Sequence, residues 1–259
     1  MGLSLLSLEG KRALVTGGGV GLGHHMALGL AEAGADLVLC GRRRELLEQC
    51  AVEARAFGRE VTVVPADITK EADLDRLAAE AGRIDILLNN AGIGLLRPWD
   101  TITREEWHSV TDLNVDATYW LCQLFAPAML ERGWGRIINV SSVYGLISGD
   151  PNRYPADLQW DNPAYVVSKH AVEGITHYLG TRFAARGVTV NSICPGMFPS
   201  EQQTEVLTDE WTRALRANTP AQRLGEFPDL KAAAVFLASP GASFVTGQSI
   251  VVDGGWTVW

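Results

Sequence analysis

The run Thr16-Gly17-Gly18-Gly19-Val20-Gly21-Leu22-Gly23 sits between an apolar, strand-like stretch at 13–15 and a helical pattern that begins at 24. Glycine at this density between a strand and a helix constrains the fold more than any other feature of the chain. Residues without a Cβ let the backbone turn sharply and approach a bound group closely. The helix that follows opens with unpaired N–H groups and the positive end of its dipole, a combination suited to a pyrophosphate. Strand, glycine turn and helix in this order make the first unit of a dinucleotide-binding sheet, in which Gly17, Gly19, Gly21 and Gly23 shape the turn and Val20 and Leu22 flank it. Without that context the same glycines would make an ordinary loop.

The rest of the chain repeats the alternation. Strand-like apolar runs fall at 36–40, 61–64, 84–88, 136–140, 189–193 and 249–252. Helical spacing occurs at 24–33, 44–57, 71–81, 105–130, 164–186, 208–218 and 230–238. Continuous rather than alternating apolar runs are expected where helices cover both faces of a parallel sheet. No internal repeat, linker or break in composition divides the 259 residues. The expectation is one α/β domain over 1–259, a doubly wound parallel sheet of about seven strands with helices on both faces.

With 47% hydrophobic and 20% charged residues, the composition is that of an ordinary globular chain. The net charge of −8 argues against a nucleic-acid partner, which would need a concentrated basic surface. Apolar runs are too short for a membrane span. Cys40, Cys50, Cys122 and Cys194 lie far apart, with no C-x-x-C pair, which points to reduced thiols and no metal site. The opening residues have no basic n-region, and Leu6 stands where a myristoylation signal needs Ser or Thr. A cytoplasmic protein is expected.

Two further features carry chemistry. The second strand ends at Cys40-Gly41-Arg42-Arg43, where a chain that binds NAD(H) would usually place an acid on the ribose 2′-hydroxyl. Gly41 leaves room, and Arg42 or Arg43 can pair with a 2′-phosphate, so NADP(H) is preferred and NAD(H) remains possible. Tyr165 and Lys169 are four apart on a helical pattern and so share a face. A lysine ammonium beside a phenol lowers the phenol pKa, which would equip Tyr165 to exchange a proton with a carbonyl oxygen.

Together with Asn89-Asn90-Ala91-Gly92, Asn114 and Ser141-Ser142 in the same order along the chain, these motifs make the sequence resemble the short-chain dehydrogenase/reductase family from Lys11 to about Gly255. The resemblance implies a Rossmann fold and a catalytic tetrad. Ser142 would polarise the substrate oxygen and Tyr165 would act as acid and base. Lys169 would tune Tyr165 and hold the nicotinamide ribose, and Asn114 would hold a water of the proton relay. The resemblance further implies that Asp67 and Ile68 contact the adenine, that Asn90, Ala91 and Gly92 pass the adenosine ribose, and that Pro195, Gly196 and Phe198 border the nicotinamide. Asn89 looks structural. A homotetramer or homodimer follows from the same resemblance, with the helices of Asn114 and Tyr165 at the interface.

The chain departs from the family in two places. The interval from Ser142 to Tyr165 is longer than usual, and the surplus makes an extended loop at 145–163. A loop that leaves one catalytic residue and returns to another runs beside the substrate, so Tyr154, Trp160 and Asp161 are candidate wall or lid residues. A substrate loop is expected at 197–220, with Met197 and Trp211 as pocket residues; Ser200 stands where relatives often have threonine. The 195–200 stretch and the long loop are loosely similar to gluconate 5-dehydrogenase-like and 3-oxoacyl-reductase-like members. The expected substrate is a small carbonyl compound or alcohol: a sugar acid, a ketoacyl group or a cyclic ketone. The alternative, a non-catalytic NADP-binding regulator, would be marked by loss of Tyr165 or Lys169, and both are present.

Overall fold

Strands form where apolar residues can be buried on both sides of the chain. The protein, a computed structural model, is described over residues 4–150, 153–154, 161–199 and 208–258. The strands are β1 (Arg12–Thr16), β2 (Asp36–Gly41), β3 (Val61–Pro65), β4 (Ile86–Asn89), β5 (Gly135–Val140), β6 (Val188–Pro195) and β7 (Ser249–Val252). All pair in parallel, in the order β3-β2-β1-β4-β5-β6-β7. The helices are α1 (Gly21–Glu32), α2 (Arg44–Arg55), α3 (Glu71–Ala81), α4 (Arg104–Thr111), α5 (Ala117–Arg132), α6 (Pro163–Phe183), α7 (Asp209–Ala217) and α8 (Phe227–Ala238). Strand order reverses between β1 and β4, and this opens a crevice at their carboxyl ends.

Neighbouring residues of a strand face opposite sides, so each strand feeds two cores. Ala13, Val15, Leu37, Leu39, Ile86 and Leu88 pack with α1, α2 and α8 on one side. Leu14, Val38, Leu87, Ile137 and Val190 pack with α3, α5 and α6 on the other. Full burial of each such leucine, isoleucine or valine contributes about 1.5–3 kcal/mol, which makes the sheet a rigid base for the loops at its carboxyl edge. The four cysteines are buried and unpaired. No helix among the described residues is long and apolar enough to cross a membrane.

Boundaries differ from expectation where a polar side chain intervenes. The helix expected over 105–130 is α4, then a wider π-helical turn (Asp112–Asp116), then α5. Asn114 accounts for the break. Its side chain points inward, accepting from the Ile93 N–H at 2.9 Å and donating to the Ile93 carbonyl at 2.9 Å. The Thr118 hydroxyl donates to the Asn114 carbonyl at 2.9 Å, supplying a partner where the turn widens. β4 begins at Ile86 rather than 84, because the Asp85 carboxylate accepts from the Arg12 N–H at 3.1 Å and from Arg83 at 2.8 Å. α1 starts at Gly21, so the last motif glycines lie in its first turn. Glu226 and Asp229 form a capping box that starts α8 ahead of the expected position.

Candidate active site

Gly17 and Gly21 have φ of 65° and 58°, the left-handed region that a Cβ disfavours. A Cβ at Gly19 would lie 3.1 Å from the Leu46 Cβ, so α2 can approach the turn only because none is there. A Cβ at Gly23 would collide with Asn90 and the Gly17 carbonyl; Gly23 therefore packs helix against turn instead of facing the crevice. Val20, at the N-cap of α1, makes no side-chain cap, which leaves the first N–H groups of the helix for a bound anion. This glycine cradle, uncapped and facing the crevice, fits a pyrophosphate.

Asn90 stitches the crevice together. Its backbone N–H donates to the Thr16 hydroxyl at 3.0 Å and its side chain donates to the Thr16 carbonyl at 3.0 Å. Ala91 adds a bond from its N–H to the Thr16 hydroxyl at 3.1 Å. Thr16, the first residue of the glycine-rich run, thus fixes the end of β4 against the glycine turn. Beyond β2, Arg44 pairs with Glu48 at 3.5 Å, while Arg42 and Arg43 are exposed at the rim of the crevice. Asp67 lines the crevice and accepts from the Thr69 hydroxyl at 2.7 Å. Burial works to raise its carboxyl, but hydrogen bonds from Thr69 and the charges of Lys70 and Arg42 hold it below the ordinary value.

At the far end of the sheet, β5 delivers Ser142 and α6 delivers Tyr165 and Lys169. Asn162 begins α6: its side chain accepts from the Tyr165 N–H at 3.4 Å, and Pro163 follows. Asn before Pro is itself a sequence signal for a helix start, one that marks Asn162 as the cap. The Lys169 Nζ donates to the Val140 carbonyl at 2.8 Å and stands 5.5 Å from the centroid of the Tyr165 ring. Gly92 lets these groups meet, since a Cβ there would lie 3.0 Å from Asn114 Oδ1 and 3.4 Å from Lys169 Nζ. Asn114 is buried behind them and donates to the Ser168 hydroxyl at 2.9 Å, which donates in turn to the Tyr165 carbonyl at 2.8 Å.

Electrostatically the pair differs from expectation. Burial pushes the Tyr165 phenol above its ordinary value, a hydrogen bond with Ser142 pulls it back, and Cys194 adds to the rise. Burial pushes Lys169 down to about 8, against the opposing influence of Cys194 and Glu173. Desolvation thus outweighs the simple attraction between ammonium and phenolate.

One cavity of about 880 Å³ contains Gly17, Gly19, Val20, Gly21, Leu22, Arg42, Arg43, Asp67, Ile68, Asn90, Ala91, Gly92, Ser142, Tyr165, Lys169, Gly196 and Phe198 in its walls. Tyr154, Met197 and Trp211 line it as well. Four expected residues do not line it: Gly23, Asn114, Asp161 and Pro195, the last residue of β6. Trp160 and Ser200 lie outside the described residues. Asp161 ties the long loop to a neighbouring turn, its carboxylate accepting from the Trp99 N–H at 2.7 Å and its carbonyl from the Arg97 N–H at 3.0 Å. Asn89 is structural as expected, donating to Asn139 at 2.9 Å within the sheet, and Asn139 donates to Thr176 at 2.9 Å.

A parallel sheet that carries a glycine-cradled crevice continuous with a buried serine and lysine and a partly buried tyrosine defines a dinucleotide-binding protein of the Rossmann class. Residues 18–257 match the family model described as Enoyl-(Acyl carrier protein) reductase. The chain is 38% identical over 259 residues to gluconate 5-dehydrogenase of Gluconobacter oxydans, covering 98% of this chain and 97% of that protein. It is 36% identical over 265 residues to galactitol 2-dehydrogenase (L-tagatose-forming) of Cereibacter sphaeroides, covering 99% and 98%. The crystal structure of a gluconate 5-dehydrogenase from Burkholderia cenocepacia in complex with NADP and tartrate matches with a TM-score of 0.89 at 34% identity over 100% of both chains. The chain belongs to the short-chain dehydrogenase/reductase family.

Proposed function

We propose that this protein is an NADP(H)-dependent oxidoreductase that interconverts a carbonyl and a secondary alcohol, with NAD(H) a poorer cofactor. The continuity of the cavity, from the glycine cradle and two exposed arginines to Ser142, Tyr165 and Lys169, carries this reading. Gly17, Gly19, Val20, Gly21 and Leu22 would hold the pyrophosphate, Arg42 and Arg43 the 2′-phosphate, Asp67 and Ile68 the adenine, and Lys169 with Gly196 and Phe198 the nicotinamide half. Bound there, the cofactor supplies or accepts the hydride.

The chain's own residues orient the substrate and move the proton. Ser142 donates to the substrate oxygen. Tyr165, kept protonated by burial, gives its proton to that oxygen in reduction and takes one back in oxidation. Asn114 fixes the rear wall through Ile93 and Ser168. Its carbonyl, which already accepts from Thr118, keeps a second lone pair for a relay water. A sugar acid, a ketoacyl group and a cyclic ketone all present a suitable carbonyl, and the relatives named above include both a sugar-acid and a polyol dehydrogenase.

The cytoplasm is the compartment consistent with four buried, unpaired cysteines. We further infer a homotetramer or homodimer joined through α5 and α6, where Trp120 is 47% and Tyr178 56% exposed. The test of the reaction is a spectrophotometric screen of NADPH oxidation over sugars, ketoacids, ketoacyl thioesters and cyclic ketones. Tyr165→Phe is expected to cut turnover by about 10²–10⁴ while NADPH binding, read by fluorescence, is unchanged. Full activity in that variant would refute the assignment.

A further inference from the structure

Beyond Tyr165 the cavity changes character. Tyr165 packs against a buried cluster of Val143, Tyr144, Tyr154, Trp211, Leu215 and Trp256. Tyr144, Tyr154, Trp211 and Leu215 of that cluster also line the cavity, together with Leu96 and Met197. The wall is assembled from distant segments: Tyr154 comes from the long loop and lies 5.9 Å from the Trp211 ring of α7 and 6.4 Å from that of Trp256.

The cations near this wall are already placed. Among the described residues, those lining the cavity are Lys169, bonded to Val140, and Arg42 and Arg43. The two arginines follow β2, three strands from β5 across the sheet, or roughly 14 Å at about 4.8 Å per strand. Arg97 pairs with Glu106 at 2.6 Å and Arg223 pairs with Asp229 at 2.6 Å, whereas Arg153 donates to the Trp256 carbonyl at 3.0 Å, stacks on its ring and acts through its charge on Tyr144 of the wall. Residues 151–152, 155–160 and 200–207 hold no Lys, Arg or His in the sequence; they hold Asp157, Glu201 and Glu205.

We propose that the substrate of this site is an uncharged, largely apolar ring ketone, or the corresponding alcohol, and not a carboxylate-bearing sugar. This rests on the oxidoreductase reading above. A carboxylate entering an aromatic wall loses its water, and among the described residues the cation that acts on this wall, Arg153, is held against Trp256 behind it. A ring ketone buries its faces against the same side chains and presents one oxygen to Ser142 and Tyr165.

Two matched pairs test the proposal with the intact protein and NADPH: methyl 4-oxocyclohexanecarboxylate against its free acid, and D-fructose against 5-keto-D-gluconate. The ester is expected to exceed the free acid in kcat/KM by at least about tenfold and to be the best of the four. Leu96→Arg, at a position 40% exposed in the cavity wall, is expected to narrow the ester-to-acid ratio. Equal or better use of either carboxylate, preference for fructose, or turnover of none of the four would overturn the proposal. Such results would leave the oxidoreductase reading standing as long as the wider screen shows NADPH turnover, whereas a silent screen would overturn both.

Discussion

Glu173 illustrates how a single buried group can act on chemistry it does not touch. It lies one helical turn beyond Lys169 on α6 and is buried, accepting from the Ser192 hydroxyl at 2.9 Å, from Ser249, and from the Cys194 thiol at 3.3 Å. A buried carboxyl group needs such donors to be tolerated. Its charge raises the pKa of Lys169, against the larger downward effect of burial that leaves the lysine at about 8. Glu173→Gln removes that support and keeps the shape, so the lysine should lose its proton at lower pH. In the reductive direction, the alkaline limb of kcat/KM against pH is expected to move to lower pH in the variant. A profile superimposable on that of the parent would show that the carboxyl group serves packing alone.

Among the elements, the turn from β2 into α2 makes the sharpest prediction. It offers two exposed guanidinium groups and no acid where the ribose end of a dinucleotide would lie. A charge-assisted hydrogen bond contributes about 1.5–3 kcal/mol. The double variant R42A/R43A is therefore expected to lower kcat/KM for NADPH by about 10- to 100-fold and to change that for NADH much less; an equal loss with both cofactors would place the 2′-phosphate elsewhere. The strands and this turn were legible in the sequence because their signals are local: apolar runs, glycines and a pair of arginines. The π-turn was legible only as a possible kink at Asn114, an asparagine inside a helical pattern, because its hydrogen-bonded partner, Ile93, lies on a separate loop. The raised phenol of Tyr165 was hidden for a related reason, since sequence spacing places a lysine nearby but does not measure burial. The role of Thr16 was not legible although it leads the glycine run, as its work is done by tertiary contacts to Asn90 and Ala91.

Taken whole, the molecule leaves apolar surface on one pair of neighbouring helices. Trp120 and Tyr119 on α5 and Val167 and Tyr178 on α6 are exposed by 47%, 38%, 49% and 56%. Large aromatic side chains grouped in this way are characteristic of subunit contacts. Native mass spectrometry is expected to show a dimer or tetramer, and Trp120→Glu to release smaller species; a monomeric parent protein would remove the interface from α5 and α6.

The nest around Tyr154 bears on how such a protein diversifies. The residues proposed to hold the nucleotide's phosphates and adenine all precede Gly92, whereas the aromatic residues of the wall, Tyr144, Tyr154 and Trp211, come later and are backed by the buried Trp256. Recognition of the nucleotide's phosphates and adenine, and the aromatic part of the substrate wall, are therefore written in separate stretches of the gene, while the residues proposed for the nicotinamide half share the later stretch. Point changes at Tyr144, Tyr154 or Trp211 can explore new chemistry on the wall while the glycine cradle stays as it is. Because the rings of Tyr154, Trp211 and Trp256 come from three segments that pack on one another, a graft of the long loop alone would bring Tyr154 without the neighbours that hold it. The natural unit of exchange is the whole carboxyl-terminal half.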